Sequence, residues 1–234
     1  MLNECIILAG GLGTRLRSVV VDLPKVMAPV NERPFLNYIL EKATNEKIEH
    51  LVLSTGYLHE KIEEYISTSH AEKNISFVIE EEPLGTGGAI AFALHQCMSE
   101  EVLIVNGDSF FNIDYRRFFN DHHQKHSDFS IAMKPMFNFD RYGTLNITND
   151  GKIKAFLEKR SMQEGMINAG IYIINKKHFL EMNWPYKFSM EKDYMEKYFS
   201  SVPMYGFAYD EYFIDIGIPQ DYAKAQTDFK QLFP

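Results

Sequence analysis

The sequence predicts an α/β fold in which a mainly parallel sheet is flanked by helices. Three observations support this prediction: short apolar runs alternate with helical patterns through the first half of the chain, the first run ends directly in glycines, and no internal repeat or low-complexity tract interrupts the pattern. Repeated strand–helix units of this kind imply parallel strands whose connecting helices lie on both faces of the sheet.

The elements of the first half follow from their apolar patterns and flanking residues. Residues 4–9 (ECIILA) are a continuous apolar run, which is typical of a buried parallel strand, and residues 34–43 form a helical pattern with a proline near its first turn. The same reasoning predicts further strands at residues 50–54, 75–79, 102–106 and 129–133, and further helices at residues 58–66, 85–98 and 114–125.

The second half has a different rhythm, with more strands and fewer helices. Residues 143–148 and 152–158 are predicted strands, and the Asp150-Gly151 turn between them is typical of a hairpin. The remaining predictions are strands at residues 167–174, 203–208 and 212–214, and helices at residues 176–182, 190–198 and 221–233. We expect this half to form a lid or side wall over the first half.

Composition excludes several classes of protein. With 45% hydrophobic and 24% charged residues, the 234-residue chain is not disordered, collagen-like or coiled-coil. A net charge of -8 argues against nucleic-acid binding, which favours a basic surface. We expect no membrane span and no secretory signal, because the apolar runs are short and no cations precede the first one. Cys5 and Cys97 do not indicate disulfides, which favours the cytoplasm.

A glycine-rich loop at residues 10–16 (GGLGTRL) follows the first predicted strand. Glycines let a backbone approach a ligand closely, and the carboxyl ends of parallel strands are where such folds bind ligands. The loop lacks the end of a P-loop and the third glycine of the dinucleotide fingerprint. Arg15, Arg17, Lys25 and Arg33 gather in the same stretch, so the loop is either a site for a small polyphosphate or a glycine turn with surface cations.

A series of motifs extends this observation along the whole chain. The motifs are residues 8–16 (LAGGLGTRL) with Pro24-Lys25, then residues 82–89 (EPLGTGGA), 106–108 (NGD), 158–159 (EK), 168–170 (NAG) and 215–217 (DIG). This series resembles the sugar-1-phosphate nucleotidyltransferases, also called nucleoside-diphosphate-sugar pyrophosphorylases. Residues 24–30 (PKVMAPV) and 213–219 (FIDIGIP) are most similar to the D-glycero-D-manno-heptose 1-phosphate guanylyltransferases within that group.

The resemblance implies a fold and a domain organisation. The fold is a Rossmann-like nucleotide-diphospho-sugar transferase fold with a smaller β-rich sugar-binding lid. We expect one domain over residues 1–234, with a nucleotide-binding half at about residues 1–135 and a sugar-binding half with the closing helix at about residues 136–234.

The resemblance also implies an activity. An NTP, with GTP as the first choice, would react with a sugar 1-phosphate, with D-glycero-D-manno-heptose 1-phosphate as the first choice. The products would be an NDP-sugar for surface polysaccharide synthesis (capsule or lipopolysaccharide) and pyrophosphate. The alternatives are UTP, CTP or dTTP with a hexose 1-phosphate, or a non-catalytic regulatory homologue. A glycosyltransferase is disfavoured because Asp108-Ser109-Phe110 is not an Asp-x-Asp motif. Self-association is left open.

Two aspartates and three cations are the implied catalytic residues. Asp108 directly follows an apolar strand and Asp215 lies in an apolar stretch, and one Mg²⁺ ion is commonly held by one or two carboxylates with phosphate oxygens and water. The resemblance assigns Mg²⁺ to Asp108 and Asp215, and the phosphates to Arg15, Lys25 and Lys159. Taken alone, Asp108 is typical of a turn, Asp215 of a cap or buried pair, and Lys159 of a solvated charge beside Glu158 and Arg160.

The remaining implied site residues bind the two substrates. For the nucleotide they are Leu8, Ala9, Gly10, Gly11, Gly13, Thr14, Arg15, Glu80, Gly85 and Thr86. For the sugar phosphate they are Asn106, Tyr142, Gly143, Glu158, Lys159 and Asn168. A carboxylate at Glu80 suits the two adjacent donors of guanine, although three solvated glutamates at a strand end explain the same residues. His122, His123 and His126 lack further ligands for zinc, so we expect an exposed helix face there.

Overall fold

Both halves of the chain contribute strands to one central sheet. The computed structural model describes residues 1–11, 13, 15–16, 19–157 and 160–233. The strands are β1 (Glu4–Leu8), β2 (Pro29–Val30), β3 (Arg33–Pro34), β4 (His50–Thr55), β5 (Ile75–Ile79), β6 (Glu101–Asn106), β7 (Ser109–Phe111), β8 (Phe129–Phe139), β9 (Thr144–Ile147), β10 (Ile153–Leu157), β11 (Met162–Asn175), β12 (Met204–Ala208) and β13 (Phe213–Asp215). The helices are α1 (Phe35–Asn45), α2 (His59–Ser69), α3 (Gly85–Leu94), α4 (Tyr115–Gln124), α5 (Lys176–Glu181), α6 (Glu196–Tyr198) and α7 (Pro219–Leu232), with a 3₁₀ turn at Lys25–Met27 and a π-helix at Met190–Met195.

The first half forms the predicted parallel part of the sheet. Its strands lie in the order β5–β4–β1–β6, all parallel. The apolar run of β1 is buried on both faces: Cys5 and Ile7 belong to one hydrophobic cluster and Ile6 belongs to the other. Because the strands are parallel, their carboxyl ends share one edge of the sheet. The α/β class predicted from the sequence is confirmed.

The second half extends this sheet, which differs from the expected lid or side wall. The inner part of β11 pairs antiparallel with β6, β8 pairs with β11, and β12 pairs with β8. β9 pairs with β11 at Ile167 and Thr144, and β10 pairs with β9, so these two strands form one end of the same sheet. The register of β11 shifts between Asn168 and Tyr172, where Gly170 has φ +75°, so one long strand serves both regions. The boundary predicted near residue 135 falls within β8, and the division into halves stays a prediction.

Helices cover both faces of the sheet. On one face, side chains of α1, α2, α4 and α7 join the first cluster, among them Leu36, Ile62, Phe118 and Phe229. On the other face, side chains of α3, α5 and the π-helix join the second cluster, among them Ile90, Phe179 and Tyr194. Burial of these apolar faces is the main source of stability for helices of this length.

Several element boundaries differ from their predictions. The helix predicted at residues 85–98 ends at Leu94, and the strand predicted at residues 129–133 continues to Phe139. The helix predicted at residues 190–198 is a π-helix followed by the short α6. The strands β2, β3 and β7 and the 3₁₀ turn were not predicted, because two or three residues give no detectable periodicity.

The histidines of α4 do not all lie on an exposed face, so that prediction is wrong for His122. Its side chain is fully buried, with Nδ1 2.7 Å from Ser130 Oγ. His122 lies four residues after Phe118 and therefore on the same inward helix face. His123 is exposed, and its Nε2 lies 2.7 Å from Glu101 Oε2. Among the residues that the structure describes, no three His, Cys, Asp or Glu side chains cluster as a metal site.

Two further features concern membranes and thiols. In the described part of the chain, no helix combines the length and apolar character needed to cross a bilayer. Cys5 and Cys97 are both buried free thiols.

Removing the Phe229 ring tests the placement of α7. This ring is fully buried and packs against the rings of Phe35, Tyr38 and Phe110. We expect Phe229→Ala to lower the free energy of unfolding by about 3–5 kcal/mol, because it leaves a cavity in the core. Urea denaturation measures this loss. Leu232→Ala, on the same helix at a side chain that is 39% exposed, is the matched control and should cost under about 1 kcal/mol. Equal losses would contradict the packing.

Candidate active site

The glycine-rich loop and Asp108 meet at the carboxyl edge of the sheet. β1 and β6 pair up to their last residues, Leu8 and Asn106. Beyond this pair, the amide of Gly107 donates to the carbonyl oxygen of Leu8 at 2.9 Å. The start of the loop and the turn that carries Asp108 are therefore fixed next to each other, where open α/β sheets bind their ligands.

Lys25 lies between the two predicted metal ligands. Its Nζ is 2.6 Å from Asp108 Oδ2 and 3.5 Å from Asp215 Oδ1. The lysine side chain is only 10% exposed, so it is held in this position. The structure thus brings together three residues that are separated by up to 190 positions in the sequence, since Lys25 and Asp215 bound that interval.

The two-stranded ribbon of β7 and β13 positions Asp215 next to Lys25 and Asp108. Asp215 lies opposite Ser109, the residue that follows Asp108. The amide of Ile216 donates to the carbonyl oxygen of Asp108 at 3.0 Å, and the amide of Gly217 donates to Asp215 Oδ1 at 2.6 Å. These bonds fix the orientation of both aspartates relative to each other.

The two carboxylates fit a divalent cation. Burial and the negative charge of Asp108 raise the pKa of Asp215, and the opposing effect of Lys25 is smaller. A further positive charge at this point would therefore stabilise the ionised pair. Carboxylate oxygens, with phosphate oxygens and water, are the ligands that Mg²⁺ prefers, so the donor set of Asp108 and Asp215 suits this ion.

A larger and a smaller cavity open at this edge and meet at Asn106 and Asp108. The larger one, about 590 Å³, lies against β9, β10, the middle of β11 and the π-helix. The smaller one, about 290 Å³, lies between the glycine-rich loop and the start of α3. Charged side chains of both signs line the larger cavity, including Arg15, Asp108, Arg141, Glu191, Glu196 and Asp215. A ligand with phosphate and hydroxyl groups matches this mixture.

Most of the predicted nucleotide-binding residues border the smaller cavity. These are Leu8, Gly10, Gly11, Glu80, Gly85 and Thr86. Ala9 is buried and its amide donates to the carbonyl oxygen of Ser54 at 2.7 Å, so neither its side chain nor its amide is available to a ligand. Gly13 lies against Lys25, and Arg15 lines the larger cavity instead. Thr14 lies outside the described residues.

The loop glycines differ in what the folded chain requires of them. A Cβ at Gly10 would lie 2.7 Å from Glu80 Oε1, and Gly13 has φ +58° with Lys25 Cβ only 2.9 Å from an added Cβ. A Cβ at Gly11 would meet no described atom within 4 Å. The fold therefore explains Gly13, and a side chain at Gly10 would displace the Glu80 carboxylate. Gly11 leaves open space that a ligand can approach.

Glu80 is tied to the loop before α3. Its Oε1 accepts a hydrogen bond from Ser54 Oγ at 3.3 Å, and its Oε2 accepts one from the amide of Leu84 at 3.1 Å. Burial raises the pKa of this carboxyl. The side chain thus has a structural role, and its predicted contact with a nucleobase stays a prediction.

The glycines before and inside α3 accommodate a neighbouring segment. A Cβ at Gly85, where φ is +75°, would lie 2.5 Å from the carbonyl oxygen of Phe188, and one at Gly87 would lie 2.3 Å from the ring of Phe188. Packing explains both glycines, although Gly85 also borders the smaller cavity. The Thr86 hydroxyl is bonded to this same segment, which limits its predicted nucleotide contact.

The predicted sugar-phosphate residues border the larger cavity. Those described are Asn106, Tyr142, Gly143 and Asn168. Asn168 Oδ1 accepts a hydrogen bond from the amide of Gly170 at 2.9 Å and lies 3.0 Å from the Tyr172 hydroxyl, so its side chain is fixed. Glu158 and Lys159 lie outside the described residues.

Comparison with known proteins gives the family. The model of a family described as nucleotidyl transferase matches residues 4–231. The chain belongs to the nucleotidyl transferase family. The match spans both cavities and the closing helix α7.

Two relatives of this nucleotidyl transferase align with it along nearly their whole length. The D-glycero-alpha-D-manno-heptose 1-phosphate guanylyltransferase of Aneurinibacillus thermoaerophilus is 49% identical over 97% of this chain and 98% of its own length. The enzyme of the same name from Campylobacter jejuni is 40% identical over 94% and 96%. A crystal structure of HddC from Yersinia pseudotuberculosis, complexed with GMP-PN, has a TM-score of 0.88 at 36% identity and covers 97% of this chain and 100% of that one. The Rossmann-like fold implied by the motifs is confirmed.

Sequence reasoning missed several residues that line the larger cavity. Arg141 donates from Nη2 to the Tyr142 hydroxyl at 2.7 Å and forms an ion pair with Asp221. Ser189 and Glu191 reach the larger cavity from the π-helix segment. Arg141 was detectable through its neighbour Tyr142, whereas the π-helix has no periodicity that marks its inward side chains.

The basic residues that lie close together near the start of the sequence do not all lie at the cavities. Arg15 and Lys25 line the cavities of this nucleotidyl transferase, but Arg33 forms an ion pair with Glu41 and lies over the ring of Tyr38. Arg17 lies outside the described residues.

Substitution of two glycines separates packing from ligand approach. Gly85→Ala should lower the free energy of unfolding by at least about 1–3 kcal/mol, because its Cβ meets a backbone oxygen at a positive φ. Gly11→Ala should change that free energy by less than about 1 kcal/mol, because its Cβ meets open space. Urea denaturation of both variants measures the difference. A loss at Gly11 as large as at Gly85 would show that the loop is packed differently.

Proposed function

We propose that this nucleotidyl transferase transfers GMP from GTP to D-glycero-α-D-manno-heptose 1-phosphate and releases pyrophosphate. The names of the two aligned relatives and the GMP-PN ligand of HddC support this choice of substrates. The structural observation that carries the proposal is the group of Lys25, Asp108 and Asp215 at the junction of two cavities. One cavity suits a nucleotide, the other suits a sugar phosphate, and the charges lie where the two would meet.

The proposed reaction joins two polyanions. An oxygen of the sugar phosphate forms a bond to the α-phosphorus of GTP, and the bond from this phosphorus to the oxygen bridging the β-phosphate breaks. Pyrophosphate leaves with that electron pair. The attacking oxygen is already an anion, so no side chain has to take a proton from it. The protein therefore has to hold the substrates in line and offset their charge.

Lys25 is suited to the reacting phosphates. Its ammonium group is fixed between two carboxylates rather than swinging in solvent. A cation that is already in place where charge develops needs no reorganisation during the reaction, and loss of one such group typically costs about 10²–10³ in rate. Arg15 lines the larger cavity, so its expected contact with the β- and γ-phosphates requires them to extend past the junction.

We assign a Mg²⁺ ion to Asp108 and Asp215. Their carboxylates converge on Lys25 Nζ, and burial together with the negative charge of Asp108 raises the pKa of Asp215. When bound, the ion would offset charge on the triphosphate and help to orient it. Asp108 and Asp215 would hold it, and the hydrogen bond from the Gly217 amide would keep the Asp215 carboxylate in its orientation.

We propose GTP rather than another nucleotide because the two aligned relatives are named guanylyltransferases and HddC was crystallised with GMP-PN. Glu80 borders the smaller cavity and still has lone pairs for the adjacent donors of guanine, but its tie to Ser54 and Leu84 shows that the residue also serves the fold. UTP, CTP or dTTP with a hexose 1-phosphate is the alternative within the same class of enzyme. The joint presence of Arg15, Lys25, Asp108 and Asp215 at the cavities disfavours a non-catalytic homologue.

The proposed product is an activated sugar for surface polysaccharide synthesis. Two buried free thiols are typical of proteins in a reducing compartment, which favours the cytoplasm as the place of this reaction.

A matrix of substrates tests the proposal. Pyrophosphate release is measured for each of GTP, UTP, CTP and dTTP with D-glycero-α-D-manno-heptose 1-phosphate and with α-D-mannose 1-phosphate, in the presence of Mg²⁺. We expect the highest kcat/KM for GTP with the heptose phosphate, and at least about tenfold less for other nucleotides, because one lost hydrogen-bond pattern costs at least about 1.4 kcal/mol. A clear preference for another nucleotide or sugar would overturn the substrate assignment. No turnover with any pair would contradict an enzymatic function.

A further inference from the structure

The π-helix Met190–Met195 forms one wall of the larger cavity. Its residues Glu191, Lys192 and Met195 line that cavity, together with Ser189 just before it. π-Helices are rare, cost stability relative to a regular helix, and occur frequently at functional sites. The segment is also anchored on its buried side, where Tyr194 packs into the second hydrophobic cluster. Its cavity-facing residues are therefore held in place.

Glu191 has an unusually well-defined carboxylate for a residue at a cavity wall. Its Oε2 accepts hydrogen bonds from Thr86 Oγ1 and from Ser189 Oγ, each at 2.9 Å. The Thr86 hydroxyl in turn accepts a hydrogen bond from the amide of Met190 at 3.0 Å. Both donors bind one oxygen, and among the described residues no donor is bonded to Oε1. Within the described part of the chain, one carboxylate oxygen is thus fixed and the other has no hydrogen-bond donor.

These contacts also connect the two cavities. Thr86 borders the smaller cavity at the start of α3, and Glu191 borders the larger one. The hydrogen bond between their side chains links the wall of the smaller cavity to the wall of the larger one and joins residues 105 positions apart. A shift of the first turn of α3 would therefore move the Glu191 carboxylate.

The charge of Glu191 indicates which part of a substrate it faces. A carboxylate repels phosphate, whereas sugar hydroxyls donate to it readily. The cations Arg15 and Lys25 and the Asp108–Asp215 pair suit the phosphate end. Glu191 suits the hydroxyl-rich end of the same molecule.

We propose that Glu191 binds hydroxyl groups of the sugar 1-phosphate through Oε1, and that Thr86 and Ser189 position it by binding Oε2. This inference rests on the proposed function, since it takes a sugar 1-phosphate as the ligand of the larger cavity. It makes Glu191 a specificity-determining residue. It makes Thr86 a positioning residue for the sugar and not a ligand of the nucleotide through its hydroxyl.

The first experiment measures separate KM values for each substrate. Glu191→Gln keeps an acceptor for Thr86 and Ser189 but removes the charge. We expect it to raise the KM for the heptose 1-phosphate about tenfold to a hundredfold, because a hydrogen bond to a charged group is lost, and to leave the KM for GTP within about twofold. Asp193→Asn is the matched control: this carboxylate lies on the same helix and accepts a hydrogen bond at 2.8 Å from the amide of Ser189, just before the helix. We expect it to leave both KM values within about twofold.

The second experiment tests the positioning role. Thr86→Val should raise the KM for the sugar phosphate several-fold, and Thr86→Ser should restore it, because serine keeps the hydroxyl. An increase confined to the KM for GTP in Thr86→Val, or equal effects of Glu191→Gln and Asp193→Asn, would overturn the proposal.

Wild-type protein is assayed first with the substrate matrix: a different preferred sugar phosphate there changes the proposed function, and the variants are then measured with that sugar. Calorimetric binding of the sugar 1-phosphate to wild type and Glu191→Gln gives a readout without turnover, and equal affinities would also overturn the role of Glu191.

Discussion

The site depends on the electrostatic balance between one lysine and two aspartates. Asp108 and Asp215 lie on either side of Lys25, in a partly buried position where unpaired charges are costly. Burial and the negative charge of Asp108 raise the pKa of Asp215, and the lysine offsets only part of this effect. The same imbalance suits a divalent cation and, with it, a polyphosphate. The charges of Lys25, Asp108 and Asp215 must balance for the folded protein to be stable, and the proposed reaction uses the same three side chains.

The sheet topology creates the space around this group. The parallel strands β1 and β6 place the glycine-rich loop and Asp108 side by side, and the short β7–β13 ribbon brings Asp215 from the end of the chain. The last part of the long strand β11 pairs with β6, and β11 also pairs with β8 along most of its length. The same strand is therefore part of the central sheet and part of the wall of the larger cavity. This arrangement creates two cavities that share Asn106 and Asp108 in their walls. A reaction between two substrates needs two adjoining cavities of this kind.

The sequence predicts the regular elements and the polar motifs, but not the contacts between distant segments. The apolar run before Asn106 and the hairpin turn at Gly151 predict their elements because local patterns define them. The π-helix, by contrast, has no sequence period of its own, and the ribbon that orients Asp215 is only three residues long. Gly85 is a similar case: its motif indicates a ligand loop, whereas its packing partner, Phe188, lies about a hundred positions away and leaves no local trace. Such partners become visible only when the chain is folded.

The most direct test of the central claim is a titration of divalent metal. Mn²⁺ binding, followed by electron paramagnetic resonance in the presence of a non-hydrolysable GTP analogue, is compared among wild type, Asp108→Asn, Asp215→Asn and the control Asp210→Asn, whose carboxylate is exposed and paired with Lys134. We predict one protein-bound Mn²⁺ in wild type and in the control. Each of the other two variants should weaken it by at least about tenfold, since even supporting groups of metal sites have effects of that size. Binding of Mn²⁺ with unchanged affinity in both Asp108→Asn and Asp215→Asn would contradict the claim that these carboxylates jointly hold the metal.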